Sequence, residues 1–365
     1  MTQKQLTEKA IALLKQLISI QSFSSEEDKT AAVIQNWFTS FDIPFKRDNN
    51  NVYAKNKYWD DAKPTLLLNS HHDTVKPNQA YTKDPFNPHV ENGKLYGLGS
   101  NDAGGCLVSL LATFSHFYAS ENLNHNILMV ASAEEESAGV NSLRGLLPSL
   151  PSIDVAIVGE PTLMNLAIAE KGLIVFDAVV KGTPSHAAHP NTDNSIYNTI
   201  PVLEWFKNYK FDKTSEALGE VKMTVTQINA GSQHNVVPSQ VDLVIDVRVN
   251  DCYTNLEIAT LLKAEAPCVM QERGLKLNSS KIDKNHALVQ SGIALGRETY
   301  GSPTLSDQAA LTCQSLKLGP GDSTRSHSAD EYIYVHEIEE GIDLYIKILE
   351  SFLYPQILKE KFIAH

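Results

Sequence analysis

The sequence predicts an α/β protein: a mixed, mostly parallel sheet flanked by helices, interrupted by a smaller inserted α+β domain. Three observations predict it. Strand and helix patterns alternate from about residue 50 to 160, the order that builds a largely parallel sheet covered on both faces. From about residue 173 the order becomes β-α-β-β-α-β, that of a ferredoxin-like layer. Histidines and acidic residues recur directly after apolar strand-like runs, where open α/β sheets place their ligand crevice.

The elements follow in order. Residues 4–18 carry Leu6, Ala10, Leu13, Leu14, Leu17 and Ile18 at helical spacing, and residues 30–41 carry Ile34, Trp37 and Phe38. Pro64-Thr-Leu-Leu-Leu68 reads as a buried strand and runs into Asn69-Ser-His-His-Asp73. The turn Gly97-Leu-Gly-Ser-Asn-Asp-Ala-Gly-Gly105 precedes a helix marked by Leu107, Leu110, Leu111 and Phe114. The apolar run Ile127–Ser132 leads to Glu134-Glu135-Glu136, and Asp154-Val-Ala-Ile-Val158 leads to Gly159-Glu160-Pro161. A strand over Leu173–Lys181, a helix at 193–208, strands at 221–229 and 240–250, a helix at 254–264 and a strand at 267–276 make up the insertion. A helix–strand mix returns from about 285 and ends in a helix at 337–353. The expected division is a discontinuous domain, 1–172 and 285–365, around an inserted domain, 173–284.

Composition excludes several classes. A hydrophobic share of 42% with 20% charged residues describes a folded, water-compatible chain. No apolar run reaches the roughly 18 residues of a membrane helix, and the N-terminus lacks the apolar core of a signal peptide; a cytoplasmic protein with no membrane contact is expected. A net charge of −12 without a basic cluster argues against nucleic acid. Cys106, Cys252, Cys268 and Cys313 form no C-x-x-C pair and read as reduced structural thiols.

Three adjacent carboxylates at the end of a buried strand must be solvated, paired or bound to a cation. His71, Asp102, Glu136 and Glu160 stand at strand ends or a helix start, and His327 lies in the Gly/Ser-rich loop 319–330. Each has a plainer reading: Asp102 as a helix cap, Glu160 as a loop acid, His71-x-Asp73 as coincidence. Together they offer the nitrogen and oxygen donors of two catalytic zinc ions. One glutamate of the triplet is left over as a general base. Asp73 could orient His71. His72, on the other side of the strand, reads as structural or exposed, as do His89, His116, His125, His286, His336 and His365. Arg248 falls on the face of its strand opposite the apolar one, and a solvated position and a carboxylate-gripping fork are equally open. His186 sits in a strand–helix loop and by itself could be any surface histidine.

Taken in order, these motifs resemble the dinuclear zinc hydrolases that include acetylornithine deacetylase, succinyl-diaminopimelate desuccinylase and glutamate-releasing carboxypeptidases. The resemblance rests on Ser70-His71-His72-Asp73-Thr74-Val75, Gly97-Leu-Gly-Ser-Asn-Asp102, Glu134-Glu135-Glu136, Gly159-Glu-Pro-Thr162, Lys181 through Pro190, Asn235-Val-Val-Pro238 and His327, and it covers essentially the whole chain. Glu134 departs from it by replacing an aspartate. The resemblance implies two zinc ions, with cobalt as a substitute. Asp102 would bridge them, His71 and Glu160 would hold one each with separate partners, and Glu136 and His327 would complete the sites. It also implies Glu135 as base, Asp73 behind His71, His186 as a lid histidine that stabilises the oxyanion, Asn235 and Arg248 on substrate, a cis peptide after Asp102, and a homodimer through the inserted domain. Leu305-Ser-Asp-Gln-Ala309 and the loop 319–327 resemble the arginine-biosynthetic branch, with Arg325 as a candidate reader of the substrate. The implied activity is deacylation of N-acetylornithine or N-acetylcitrulline. Succinyl amino acids, aminoacylase and dipeptidase substrates are the alternatives within the family, and a non-catalytic binding protein or a carboxylate-pair glycosidase the alternatives outside it.

Overall fold

The structure is a computed structural model that describes residues 2–354. It divides into two compact units. The first takes the chain up to Ile168, residues 282–300 and the chain from Ser306; the second takes Ala169–Lys281 and Gly301–Leu305.

In the first unit, helices α1 (Gln3–Ile18) and α2 (Asp28–Ser40) bury the apolar stripes read from the sequence. Strand β1 (Asn51–Lys55) is followed by β2 (Thr65–His71), helix α3 (Gly105–Phe117), β3 (Asn126–Ser132) and β4 (Val155–Val158). Every residue of β2, β3 and β4 is buried. That is why they read as continuous apolar runs rather than alternating ones: helices cover both faces of a parallel sheet.

The second unit runs β5 (Gly172–Lys181), α4 (Ser195–Asn208), β6 (Lys222–Ala230), β7 (Gln240–Val249), α5 (Asn255–Glu265) and β8 (Val269–Glu272). Its antiparallel sheet has the order β6-β7-β5-β8, the ferredoxin-like arrangement the element order implied. Val241, Leu243, Ile245, Val247 and Val249 face its core, and Arg248 takes the opposite face.

The chain returns to the first unit with β9 (Gln314–Lys317) and α6 (Val335–Leu353). β3, β2, β4 and β9 lie side by side and all run parallel, with β1 antiparallel on β3. Leu107, Leu110, Leu111 and Phe114 of α3 and Ile338, Ile342, Tyr345 and Leu349 of α6 belong to one buried core. Each such side chain contributes about 1.5–3 kcal/mol by leaving water. This core holds four parallel strand ends in register, and those ends carry the site. No helix among the described residues is long and apolar enough to cross a membrane.

Candidate metal centre

His71 is the last residue of β2 and its side chain is 1% exposed. Its Nδ1–H donates to the Asp73 carbonyl at 3.0 Å, which leaves Nε2 as the lone-pair nitrogen facing inward. Nε2 stands 3.4 Å from Asp102 Oδ1 and 3.8 Å from Glu160 Oε1. The Asp73 carboxylate has a wider task than orienting His71. It accepts from Ser24 Oγ at 2.6 Å and from the backbone N–H groups of Glu135 and Glu136, each at 3.1 Å. One buried carboxylate thereby couples the end of β2 to the glutamate triplet. Burial works against its charge, but the bonds from His71 and Ser24 outweigh that and hold its pKa below the usual range. His72 is buried and structural: Nδ1 meets Thr30 Oγ1 and Nε2 meets the Asn50 carbonyl, both at 2.9 Å.

Asp102 lies at the entry to α3, and the Asp102–Ala103 peptide is cis, as the motif implied. Gly99 before it has φ 73°, where an added Cβ would stand 2.6 Å from Thr74 Cγ2, so the turn requires glycine. Glu331, which no spacing in the sequence singled out, fixes this turn. It is 2% exposed and accepts from the backbone N–H groups of Gly99, Asn101 and Asp102 at 3.1, 2.8 and 2.9 Å. Burial, with Asp102 adding to it, pushes its pKa up to about 8. Glu331→Ala strands three buried donors. It is expected to cost about 2–4 kcal/mol of stability and about 10- to 100-fold in metal affinity, read by thermal unfolding and zinc titration.

The triplet divides into three. Glu134 has φ 53° and a buried side chain that accepts from Asn141 N and Asn141 Nδ2, both at 2.9 Å. It folds the loop back on itself, and at Gly139 a Cβ would fall 2.0 Å from its Oε2. The backbone N–H of Glu134 donates to buried Glu27 at 3.2 Å, a second structural acid that sequence reasoning passed over. Glu136 turns inward, both oxygens 3.1 Å from His327 Nε2. Glu135 is the remaining member. Burial and the charges of Glu160, Asp307 and Glu136 raise its pKa well above the ordinary value, against the pull of His71.

Glu160 follows β4, and Ser70 Oγ donates to the Gly159 carbonyl at 2.8 Å, tying this strand end to that of β2. His327 lies in the loop after β9 with φ 57°. Asn101 sews that loop down, its Nδ2 donating to Asp322 O and its Oδ1 accepting from Asp322 N, each at 3.0 Å. Arg325, the candidate reader of the substrate, is engaged within the protein. Its guanidinium forks onto Glu337 at 2.7 and 3.0 Å and stacks over Tyr332 and Tyr334, anchoring the His327 loop to the start of α6.

Ligand atoms of His71, Asp102 and Glu136 lie within 4.8 Å of one another. His71 and Glu160, expected to serve separate ions, stand side by side at 3.8 Å, and Glu136 and His327 are a second close pair at 3.1 Å. The electrostatics of the cluster call for positive charge. Burial and Asp102 push Glu160 up to about 8. The bond to Glu136 raises His327 to about 9. Burial lowers the proton affinity of His71, yet Asp102 and Asp73 carry it well above the ordinary value. Glu160, His71 and His327 thus hold protons more tightly than usual, and a set of two imidazoles and three carboxylates fits divalent cations of the zinc type.

In the second unit, His186 pairs with Val236 in a two-residue ladder, and Ala187 N donates to the Asn235 carbonyl at 2.9 Å, so these two expected residues are neighbours. Arg248 bonds Asp246 through Nε at 2.9 Å and a second nitrogen at 3.0 Å. His365 lies outside the described residues.

A parallel-sheet unit with this donor cluster defines a metal-dependent amide hydrolase, and comparison with known proteins agrees. Residues 67–351 match the model of peptidase family M20/M25/M40, and the chain belongs to that family. Among curated relatives, the succinyl-diaminopimelate desuccinylase of Wolbachia pipientis subsp. Culex pipiens (strain wPip) is 25% identical, over 94% of each chain. That of Stenotrophomonas maltophilia (strain K279a) is 26% identical, over 80% of this chain and 84% of the relative. Among solved structures, a tripeptidase from Staphylococcus aureus has a TM-score of 0.76 at 20% identity, over 96% of this chain and 99% of that one. A dinuclear metal-binding peptidase of the M20 family from Bacillus subtilis has a TM-score of 0.73 at 16% identity, over the same shares. These two likenesses concern the fold.

Proposed function

We propose that the first unit holds two divalent ions, zinc with cobalt as a substitute, and hydrolyses the amide of an N-acyl amino acid, an N-succinyl amino acid of the diaminopimelate type. One observation carries the two-ion reading: the oxygens of Asp102 face different histidines, Oδ1 at 3.4 Å from His71 Nε2 and Oδ2 at 3.6 Å from His327 Nε2. One half-site is then His71, Asp102 and Glu160, the other His327, Asp102 and Glu136.

Bound ions supply Lewis acidity, polarising the scissile carbonyl and acidifying water. The chain's residues do the rest. Glu135 takes a proton from the attacking water and delivers it to the leaving nitrogen. Asp73 holds the Glu135 backbone, and Glu331 holds the Asp102 turn, so neither carboxylate reorganises as charge develops.

The names of the curated relatives favour succinyl over the acetyl group of the arginine branch, and Arg325, the candidate reader for that branch, is paired with Glu337. Release of free amine from N-succinyl-LL-diaminopimelate, N-acetylornithine, N-acetylcitrulline and a dipeptide tests this. The succinyl compound is expected to lead in kcat/KM by at least about tenfold, with turnover lost to a chelator and restored by zinc. An acetyl substrate in the lead returns the reading to acetylornithine type. Turnover that survives full chelation rejects metal catalysis.

The inserted unit supports a homodimer. β6 is an edge strand of its sheet, and Ile196, Tyr197 and Ile200 of α4 and Ile228 of β6 are exposed. An apolar face beside an unpaired edge favours a second copy. Sedimentation of Ile200→Glu is expected to give monomer where the parent gives dimer; a monomeric parent ends the proposal.

A further inference from the structure

We propose that Asp307 is a positioning residue for the reaction, tying the end of β2 to the end of β3, the two strand ends that deliver His71 and the Glu135–Glu136 pair. It belongs to the segment Leu305–Ala309, which the sequence set apart and to which the hydrolytic mechanism gives no task.

Asp307 opens the single turn Asp307–Ala310, capped by Ser306, and its side chain is more than nine-tenths buried. Ser132, the last residue of β3, donates from Oγ to Asp307 Oδ2 at 2.6 Å. Asn69, two residues before His71, donates to the same oxygen at 3.1 Å with its amide turned to satisfy both ends, and then accepts from Ser70 N at 3.2 Å. Asn69 and Ser132 are fully buried. Ser132 is also the ladder partner of His71, and its carbonyl accepts from His72 N at 3.0 Å. One carboxylate oxygen therefore joins the two strands at the point where both leave the sheet to form the site. The next residue repeats the device on another strand: Gln308 Nε2 donates to Ser315 Oγ of β9 at 2.9 Å.

A buried carboxylate is expensive to keep unless donors hold it. Burial raises the proton affinity of Asp307 to about 6. A hydrophobic residue there would leave Ser132 and Asn69 without their shared acceptor and free the two strand ends. Catalysis at this site depends on the spacing of His71, Asp102 and Glu135, and a shift of about 1 Å at such a site costs on the order of 10²-fold.

The inference rests on the two-ion hydrolase reading, and its test begins with a measurement that needs no substrate. Metal-free protein is titrated with cobalt(II), and the visible absorption reports ligand geometry. Then kcat and KM are measured on N-succinyl-LL-diaminopimelate, or on the compound that leads the panel above. Asp307→Ala is expected to lower kcat about 10²-fold with KM within about threefold and to alter the cobalt spectrum. Asp307→Asn keeps an acceptor and is expected to recover to within about tenfold of the parent. Ser132→Ala, which removes one donor and leaves the carboxylate, is expected to lose about tenfold in kcat, and it decides the matter if Asp307→Ala does not fold. The inference is overturned if the variants lose thermal stability alone while kcat and spectrum match the parent, or if Asp307→Asn is as impaired as Asp307→Ala. A parent that takes up no cobalt and turns over no substrate rejects the hydrolase reading instead.

Discussion

Glu135→Gln lowers kcat by about 10³- to 10⁴-fold and leaves the protein with its full complement of metal. The backbone of residue 135 is held by Asp73 whatever its side chain, and glutamine is isosteric with glutamate, so the local fold is kept. The amide has no lone pair basic enough to take a proton from water and none to return to the leaving nitrogen. Turnover should fall while KM moves little, because the lost interaction belongs to the transition state. Zinc measured in the purified variant separates this outcome from loss of metal. Near-parental turnover would mean that another group is the base.

Asp102→Asn has the second large effect, by a different route. Each oxygen of Asp102 faces its own histidine, and an asparagine can keep only one of them. The amide NH₂ placed on the other side offers protons where a lone pair is needed. Bound metal should fall toward one ion per chain or less, and activity by at least about 10³-fold, the equivalent of about 4 kcal/mol. Glu331 continues to hold the backbone of the turn, so the loss is chemical rather than structural. Two ions bound with parental affinity in this variant would refute the bridging role.

The contrast between these variants shows what was legible in the chain. His71, Glu136 and Glu160 could be read because each follows a strand buried on both faces, and such strands are continuous apolar runs. The base and the ligand within the triplet were separable only through resemblance; the structure adds that Glu134 is the loop's internal brace. Glu331 and Asp307 were not legible. They act across 229 and 175 residues of chain, on backbone N–H groups and on a serine, and no local pattern records such partners. The Arg325–Glu337 fork was not legible either, because proximity to His327 in sequence says nothing of Glu337, twelve residues beyond Arg325. The partner of Arg248, by contrast, is legible in its own strand. Residues two apart on a strand share a face, so Asp246 was its natural partner from the start.

The five donors come from five segments, between residue 71 and residue 327, that meet only when the parallel sheet is complete. Dispersed along an unfolded chain they bind metal weakly, so every ion taken up is a ligand of the native state alone. By mass action, free metal at a hundred times its dissociation constant adds about 2.7 kcal/mol per ion to the unfolding free energy. Metal supply thereby sets how long the protein survives as well as how fast it works. Under metal starvation the idle enzyme is also the one most readily unfolded and cleared by proteases.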